Sequence, residues 1–191
     1  MRRLVVVGNG KAADAFLRHI QRYPHSFSIT VFSGRLNGSR PLRGPAWYRS
    51  RGIDLRAGVS ITAIDRHARQ AMGDDGSRTT FDRLILAIGH SQLPPAGLVA
   101  RNGVVVNRSL ETSDGHIYAI GDCAEIGDCA EIGDAGFSAS LDQLARNLAA
   151  RLAAEAAGAD VVQTMPKYKL AVVRNPRAAV TVAVTEGAFT A

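Results

Sequence analysis

Cysteine is almost missing from this chain: of 191 residues only Cys123 and Cys129 are cysteines. Two thiols cannot form the multi-bridge framework of a small secreted fold, and a chain this long buries a sizeable core without bridges. Long hydrophobic runs are missing too, so no stretch approaches the roughly 20 apolar residues of a membrane-spanning helix. The opening MRRLVVVGNGK has two arginines and then only Leu4 to Val7 before Gly8, too short for a signal-peptide core. The expectation is a cytoplasmic chain with no membrane contact. His19, His25, His67, His90 and His116 show no metal-ligand spacing. Acidic residues are fewer than basic ones, 17 against 23, for a net charge of +6. The excess is mostly scattered arginine, with no dense basic run interleaved with aromatics, and aromatics are only 6% of the chain. Nucleic acid is therefore not expected as a partner, while an attraction for phosphate-bearing ligands is.

What is present begins with a strand. The β-branched run Leu4 to Val7 passes into Gly8-Asn9-Gly10-Lys11-Ala12-Ala13, and apolar residues then recur at Ala13, Phe16, Leu17 and Ile20. That is the period of an amphipathic helix. FSITVF (27–32) reads as a second strand, so the chain opens as β–turn–α–β. Residues 46–58 read as a short helix ending near Gly52 and then a short strand. Strands at 59–64, 68–72 and 77–81 suggest a three-stranded meander, and the apolar run Leu84 to Ile88 a buried parallel strand. LPPAG (93–97) is a breaker, GVVV (103–106) a short strand, and HIYAIGDCAE a strand running into a turn. In residues 140–158, Ser140 and Gln143 form a capping-box pattern, Leu141, Leu144, Leu148 and Leu152 line one helix face, and Gly158 ends the helix. KLAVV (169–173) and AAVTVAV (178–184) are strand-like. The class is α/β: a doubly wound parallel sheet of Rossmann type with an inserted three-stranded β-meander.

Gly8-x-Gly10-x-x-Ala13, between a strand and a helix, matches the dinucleotide fingerprint. Gly8 permits the tight turn, Gly10 lets the backbone approach a pyrophosphate, and Ala13 lets helix and strand pack closely. The helix N-terminus, opened by Lys11 and Ala12, presents free N–H groups to the phosphates. A glycine turn with no ligand is the bland alternative. An acidic residue is expected after the second strand to hold a ribose, yet VFSGRLNGSR offers only Ser33, Arg35 and Asn37. That departure weakens adenosine binding or shifts preference toward a phosphorylated ribose that Arg35 could pair.

GDCAEIGDCAEIGD (121–134) writes one hexapeptide twice and begins a third copy. A metal repeat lacks supporting histidines or a second cysteine pair. A duplication carried in a surface loop costs little, and both cysteines then read as inert. Residues 103–125, GVVVNRSLETSDGHIYAIGDCAE, resemble the second signature of the FAD-dependent pyridine nucleotide-disulfide oxidoreductase superfamily. Residues 46–89 resemble its central segment, ending in AIG. The likeness is to the branch of nitrite reductase large subunits, rubredoxin reductases and ferredoxin reductases, and covers nearly all of residues 1–152.

The resemblance implies FAD as cofactor and flavin-mediated electron transfer from a nicotinamide donor to an acceptor. It implies cofactor contacts at Gly8, Gly10, Lys11, Ala12, Ala13, Ser33, Arg35, Arg40, Pro41, Ile61, Ala87, Gly89, Gly121 and Asp122, with Asp122 on the ribityl chain. Of the repeated aspartates only Asp122 directly follows the strand ending at Ile120. No CxxxxC dithiol follows the fingerprint, so direct transfer from flavin to acceptor is the implied mode. The family's second glycine fingerprint, for NAD(P)H, is missing between AIGHSQLPPAG and GVVVNRS. The implied organisation is an FAD domain over 1–158, with 1–96 joined to 97–158 across the missing domain, and a partial interface-domain stub over 159–191. The implied partner is a redox protein or a separate NAD(P)H-binding chain. The alternative is a nucleotide-binding protein, for NADP or an ADP-like ligand, without turnover.

Overall fold

The structure, a computed structural model, describes residues 1–23, 26–34, 42–88, 96–100, 103–126 and 140–158. Its centre is a five-stranded, all-parallel sheet in the order β3-β2-β1-β7-β9. These strands are β1 (Arg2–Val7), β2 (Phe27–Ser33), β3 (Asp54–Ala57), β7 (Arg83–Leu86) and β9 (Ile117–Ala119). Leu4 to Val7 and Leu84 to Leu86 are all buried, as strands covered on both faces must be. Three helices are described: α1 (Lys11–Ile20), α2 (Pro45–Arg49) and α3 (Leu141–Ala156). The first and last pack against each other, and Phe16, Leu17, Leu148 and Leu152 enter one core with the sheet.

The inserted meander is β4 (Ile61–Asp65), β5 (Gln70–Gly73) and β6 (Arg78–Thr80), antiparallel in that order. Ile61, Ile64, Ala71 and Phe81 carry it into the same core. Asp82, at the meander's exit, returns the chain to the sheet. Its carboxylate accepts from the Arg3 backbone N–H at 2.7 Å and from the guanidinium Nη2 at 2.9 Å. Those bonds hold the carboxyl down at about 2.

Two features differ from the sequence reading. Ala124–Ile126 (β10), which follows a strand read as running into a turn, forms a parallel pair with β8 (Val104–Val106). The pairing depends on β8, 20 residues earlier in the chain, which periodicity alone does not reveal. The capping box is half-formed: Ser140 Oγ accepts from the Gln143 N–H at 3.2 Å, but the Gln143 side chain donates to Asn147 instead. Gly158 ends the turn after α3 with φ +74°. The strand-like runs at 169–173 and 178–184 lie outside the described residues.

Candidate functional site

Strand order reverses at β1, with β2 and β3 on one side and β7 and β9 on the other. In an open parallel sheet the crevice beyond the carboxyl ends at such a point is where ligands bind. Three separate stretches of sequence meet there. Gly8 follows β1 with φ +113°, a conformation that strains any side chain, and an added Cβ would run into the Ala87 carbonyl at the end of β7. Gly121 follows β9 with φ +85°, and a Cβ there would stand 2.7 Å from the Ala12 Cβ on α1. The fingerprint, the AIG strand and the GD turn are thus packed on one another through contacts only glycine allows. Sequence reasoning placed each of them but missed these two contacts.

Gly10 is different. Its φ of −77° is open to any residue, and an added Cβ would meet nothing within 4 Å. Nothing inside the described fold requires glycine at this position. It is also the N-cap of α1, without a side-chain cap. The first helical bond runs from the Asp14 N–H to the Gly10 carbonyl at 3.0 Å, so the N–H groups of Lys11, Ala12 and Ala13 have no helical acceptor. Lys11 is exposed and makes no ion pair among the described residues. A cation in the first turn opposes the helix dipole, and a bound anion would reverse that penalty. Ala13 is fully buried against the sheet.

Ser33 is the last residue of β2, and its hydroxyl accepts from the Asn9 amide at 2.5 Å, both side chains being buried. Ile61 is buried beside Ser60, whose Oγ would lie 2.8 Å from a Cβ on Gly34. Asp122 is exposed in the turn between β9 and β10, and no hydrogen bond or ion pair engages it among the described residues. Its neighbour Cys123 is wholly buried, its thiol directed at the carbonyls of Leu86 (3.4 Å) and Ile120 (3.5 Å). Burial pushes that thiol up, away from the thiolate a redox cysteine needs. Arg35, Arg40, Pro41, Gly89, Cys129 and Asp128 lie outside the described residues. Among the described residues no cluster of histidine, cysteine and carboxylate could hold a metal.

The remaining aromatic pair is structural. Tyr48 is buried, and half-buried Trp47 packs edge-on to it at 5.1 Å, with the Arg51 guanidinium 4.3 Å and the Arg43 guanidinium 5.5 Å from its ring. Arg43 also grips Asp14 on α1, Nε to Oδ1 at 2.6 Å. Burial alone would raise the Asp14 carboxyl, but the bonds from Arg43 and Arg18 bring it below its usual value.

A parallel sheet, a glycine turn at its switch point and an uncapped helix N-terminus beside it define an α/β protein of Rossmann-like fold. Residues 46–158 match the pyridine nucleotide-disulphide oxidoreductase family, and the chain belongs to that family. It is 35% identical over 86 residues to a putidaredoxin reductase of Pseudomonas putida, covering 40% of this chain and 20% of that one. It is 39% identical over 92 residues to a nitric oxide reductase FlRd-NAD(+) reductase of Aeromonas salmonicida, covering 40% and 22%. The matched stretches thus span about a fifth of these relatives' own length. A solved covalent complex of putidaredoxin reductase with putidaredoxin aligns over 80% of this chain and 75% of that chain, with TM-score 0.63 and 17% identity. At that identity the likeness speaks for the fold.

Proposed function

We propose that this chain binds FAD at the crevice formed by Gly8–Ala13, Ala87 and Gly121-Asp122, and acts as the flavin-holding part of an electron-transfer oxidoreductase. The observation that carries the reading is Gly10. Neither packing nor a positive φ calls for glycine there, whereas a pyrophosphate laid on the N–H groups of Lys11 to Ala13 does. Lys11 adds a cation at the phosphates, and the exposed Asp122 carboxylate offers an acceptor to ribityl hydroxyls. Ile61, Arg35, Arg40, Pro41 and Gly89 complete the proposed contact set. The residues present fit the cofactor in kind: small where backbone must approach, cationic at the phosphates, acidic at hydroxyls.

FAD, when bound, supplies the hydride- and electron-accepting chemistry; the chain supplies binding, orientation and electrostatics. Buried Cys123 takes no part. The similar proteins are named as reductases for putidaredoxin, rubredoxin and other redox proteins, and a redox protein is the proposed acceptor here. Between Ala87 and β9 no second glycine fingerprint occurs in the sequence. We therefore assign residues 1–158 to one FAD domain, closed directly across the place where the family resemblance implies a nicotinamide domain, with 159–191 as a partial interface domain. Reducing equivalents then come from a separate NAD(P)H-binding chain. The absorption spectrum of the purified full chain, followed by identification of the released chromophore, tests the proposal. Flavin bands and FAD on release are expected. A colourless protein that gains no flavin bands on incubation with FAD would contradict it. An NADP- or ADP-binding protein without turnover is the second reading, favoured by the absence of a carboxylate at Ser33.

A further inference from the structure

The adenosine end of this crevice is built without the carboxylate that usually reads a ribose. In a dinucleotide-binding sheet an acid near the end of the second strand accepts from the ribose hydroxyls, and it repels a phosphate at the 2′ position. Here that strand ends on Ser33. Gly58, after β3, donates to the Ser33 carbonyl at 2.7 Å, and Gly8 donates to the Phe32 carbonyl at 2.8 Å, so Ser33 sits at the mouth of the turn that would hold the pyrophosphate. Its side chain is engaged by Asn9, the residue between the fingerprint glycines, in a buried neutral pair at 2.5 Å.

The nearest acids do not take over the missing role. Asp54 on β3 stands opposite Thr30, three residues back and so roughly 10 Å down the strand, and it pairs with Arg56 Nε at 2.9 Å. Asp74 approaches from the meander, but its Oδ1 accepts from the Ser60 backbone N–H at 3.1 Å. Among the described residues, the helix that follows the fingerprint turn opens on a cation, Lys11.

On the reading that this crevice is a nucleotide site, we propose that the Asn9–Ser33 pair is its ribose reader. A neutral amide–hydroxyl pair donates and accepts hydrogen bonds without charge. The site then takes adenosine nucleotides with or without a 2′-phosphate, where an acidic reader would select the unphosphorylated ribose. Asn9 and Ser33 are specificity-determining residues, and the specificity they determine is permissive.

The test uses the full chain and two ligands that differ by one phosphoryl group, ADP-ribose and 2′-phospho-ADP-ribose, titrated calorimetrically at fixed ionic strength. In the wild type the phosphorylated ligand binds no more than about threefold more weakly, or binds more tightly. Ser33→Asp places a carboxylate on the strand end and weakens the phosphorylated ligand by about tenfold or more relative to its partner. Asn9→Asp does the same from the facing residue and serves if the first variant does not fold, circular dichroism reporting the fold of each. Asp74→Asn leaves the ratio unchanged. A wild-type preference for ADP-ribose beyond about threefold overturns the inference and leaves the nucleotide site standing. So does a ratio that moves in Asp74→Asn, or one that stays fixed in every folded acidic variant. Binding of neither ligand overturns the nucleotide site, and the inference with it.

Discussion

Gly8, Gly10 and Gly121 are three glycines with three different reasons. Gly8 and Gly121 are forced by positive φ and by neighbours that leave no room for a Cβ. Gly10 is under neither constraint, so a substitution there tests ligand exclusion with little cost to the fold. The repeated aspartates are separated in the same way. Asp122 lies three residues past the end of β9, six residues before Asp128, and its exposed carboxylate stands where flavin hydroxyls are proposed to donate. Such charge-assisted bonds contribute about 1.5–3 kcal/mol, roughly one to two decades in affinity. Asp122→Ala is expected to lose that much FAD affinity in a fluorescence titration, while deletion of residues 127–132 retains it. Full affinity in Asp122→Ala, with loss in the deletion, would make the second copy the working one.

Elements are held at the far end of the sheet by ion pairs, away from the crevice. Asp82 links the meander's exit to β1, and its carboxyl is held at about 2 by the hydrogen bonds and charge of Arg3. A carboxyl depressed in the folded state stabilises the protein above its unfolded value, near 3.9, and that contribution fades as pH falls through 2. Chemical denaturation across pH 2–5 is expected to show wild-type stability falling as acid is added. Asp82→Asn should be less stable at pH 5 and have a shallower slope. An unchanged slope would show that Asp82 has no share in the acid sensitivity. On α3, Glu155 accepts from Arg83 Nη2 at 3.0 Å and from Arg151 Nε at 3.1 Å, and Arg83 also donates to His116 Nδ1 at 2.9 Å. Arg83, Glu155, Arg151 and Glu111, which accepts from Arg151 Nη2 at 3.3 Å, are each more than four-fifths buried. Glu155→Gln removes one carboxylate from two largely buried guanidiniums, and a loss of about 2 kcal/mol in urea unfolding is expected.

Across the whole molecule, what could be read in the sequence followed the locality of the signal. β1, α1, β2 and the run into β7 were legible because each is a continuous apolar pattern with a glycine or polar boundary. The meander was legible because its turn, Asp74-Asp75-Gly76, is written in the chain. β10 was not: Ala124-Glu125-Ile126 has no period of its own, and it pairs only because β8 presents an edge 20 residues earlier. The fingerprint could be named from sequence, but the packing of Gly121 on Ala12 and the buried Asn9–Ser33 bond depend on which strands become neighbours. The absence of a second glycine fingerprint between Ala87 and β9 is read from the sequence directly, and the proposed organisation rests on it. From it follows an expectation for the whole chain: loaded with FAD and mixed anaerobically with NADH, it should show no rapid saturable bleaching of the flavin bands. Fast saturable reduction without a partner chain would mean that the nicotinamide site is built from this chain's own residues.

The central claim is that the Gly8–Ala13 turn receives the pyrophosphate of FAD. Its most direct measurement is the FAD dissociation constant of the full chain beside that of Gly10→Val, taken by quenching of flavin fluorescence, with far-ultraviolet circular dichroism of both proteins. The position accepts a side chain at φ −77° with nothing within 4 Å, so both proteins should show the same spectrum, the variant's thermal transition falling only by the small cost of replacing an N-cap glycine. The wild type should bind FAD saturably and the variant at least about 100-fold more weakly, as a backbone that cannot approach the phosphates requires. Equal affinity in a correctly folded Gly10→Val would contradict the account.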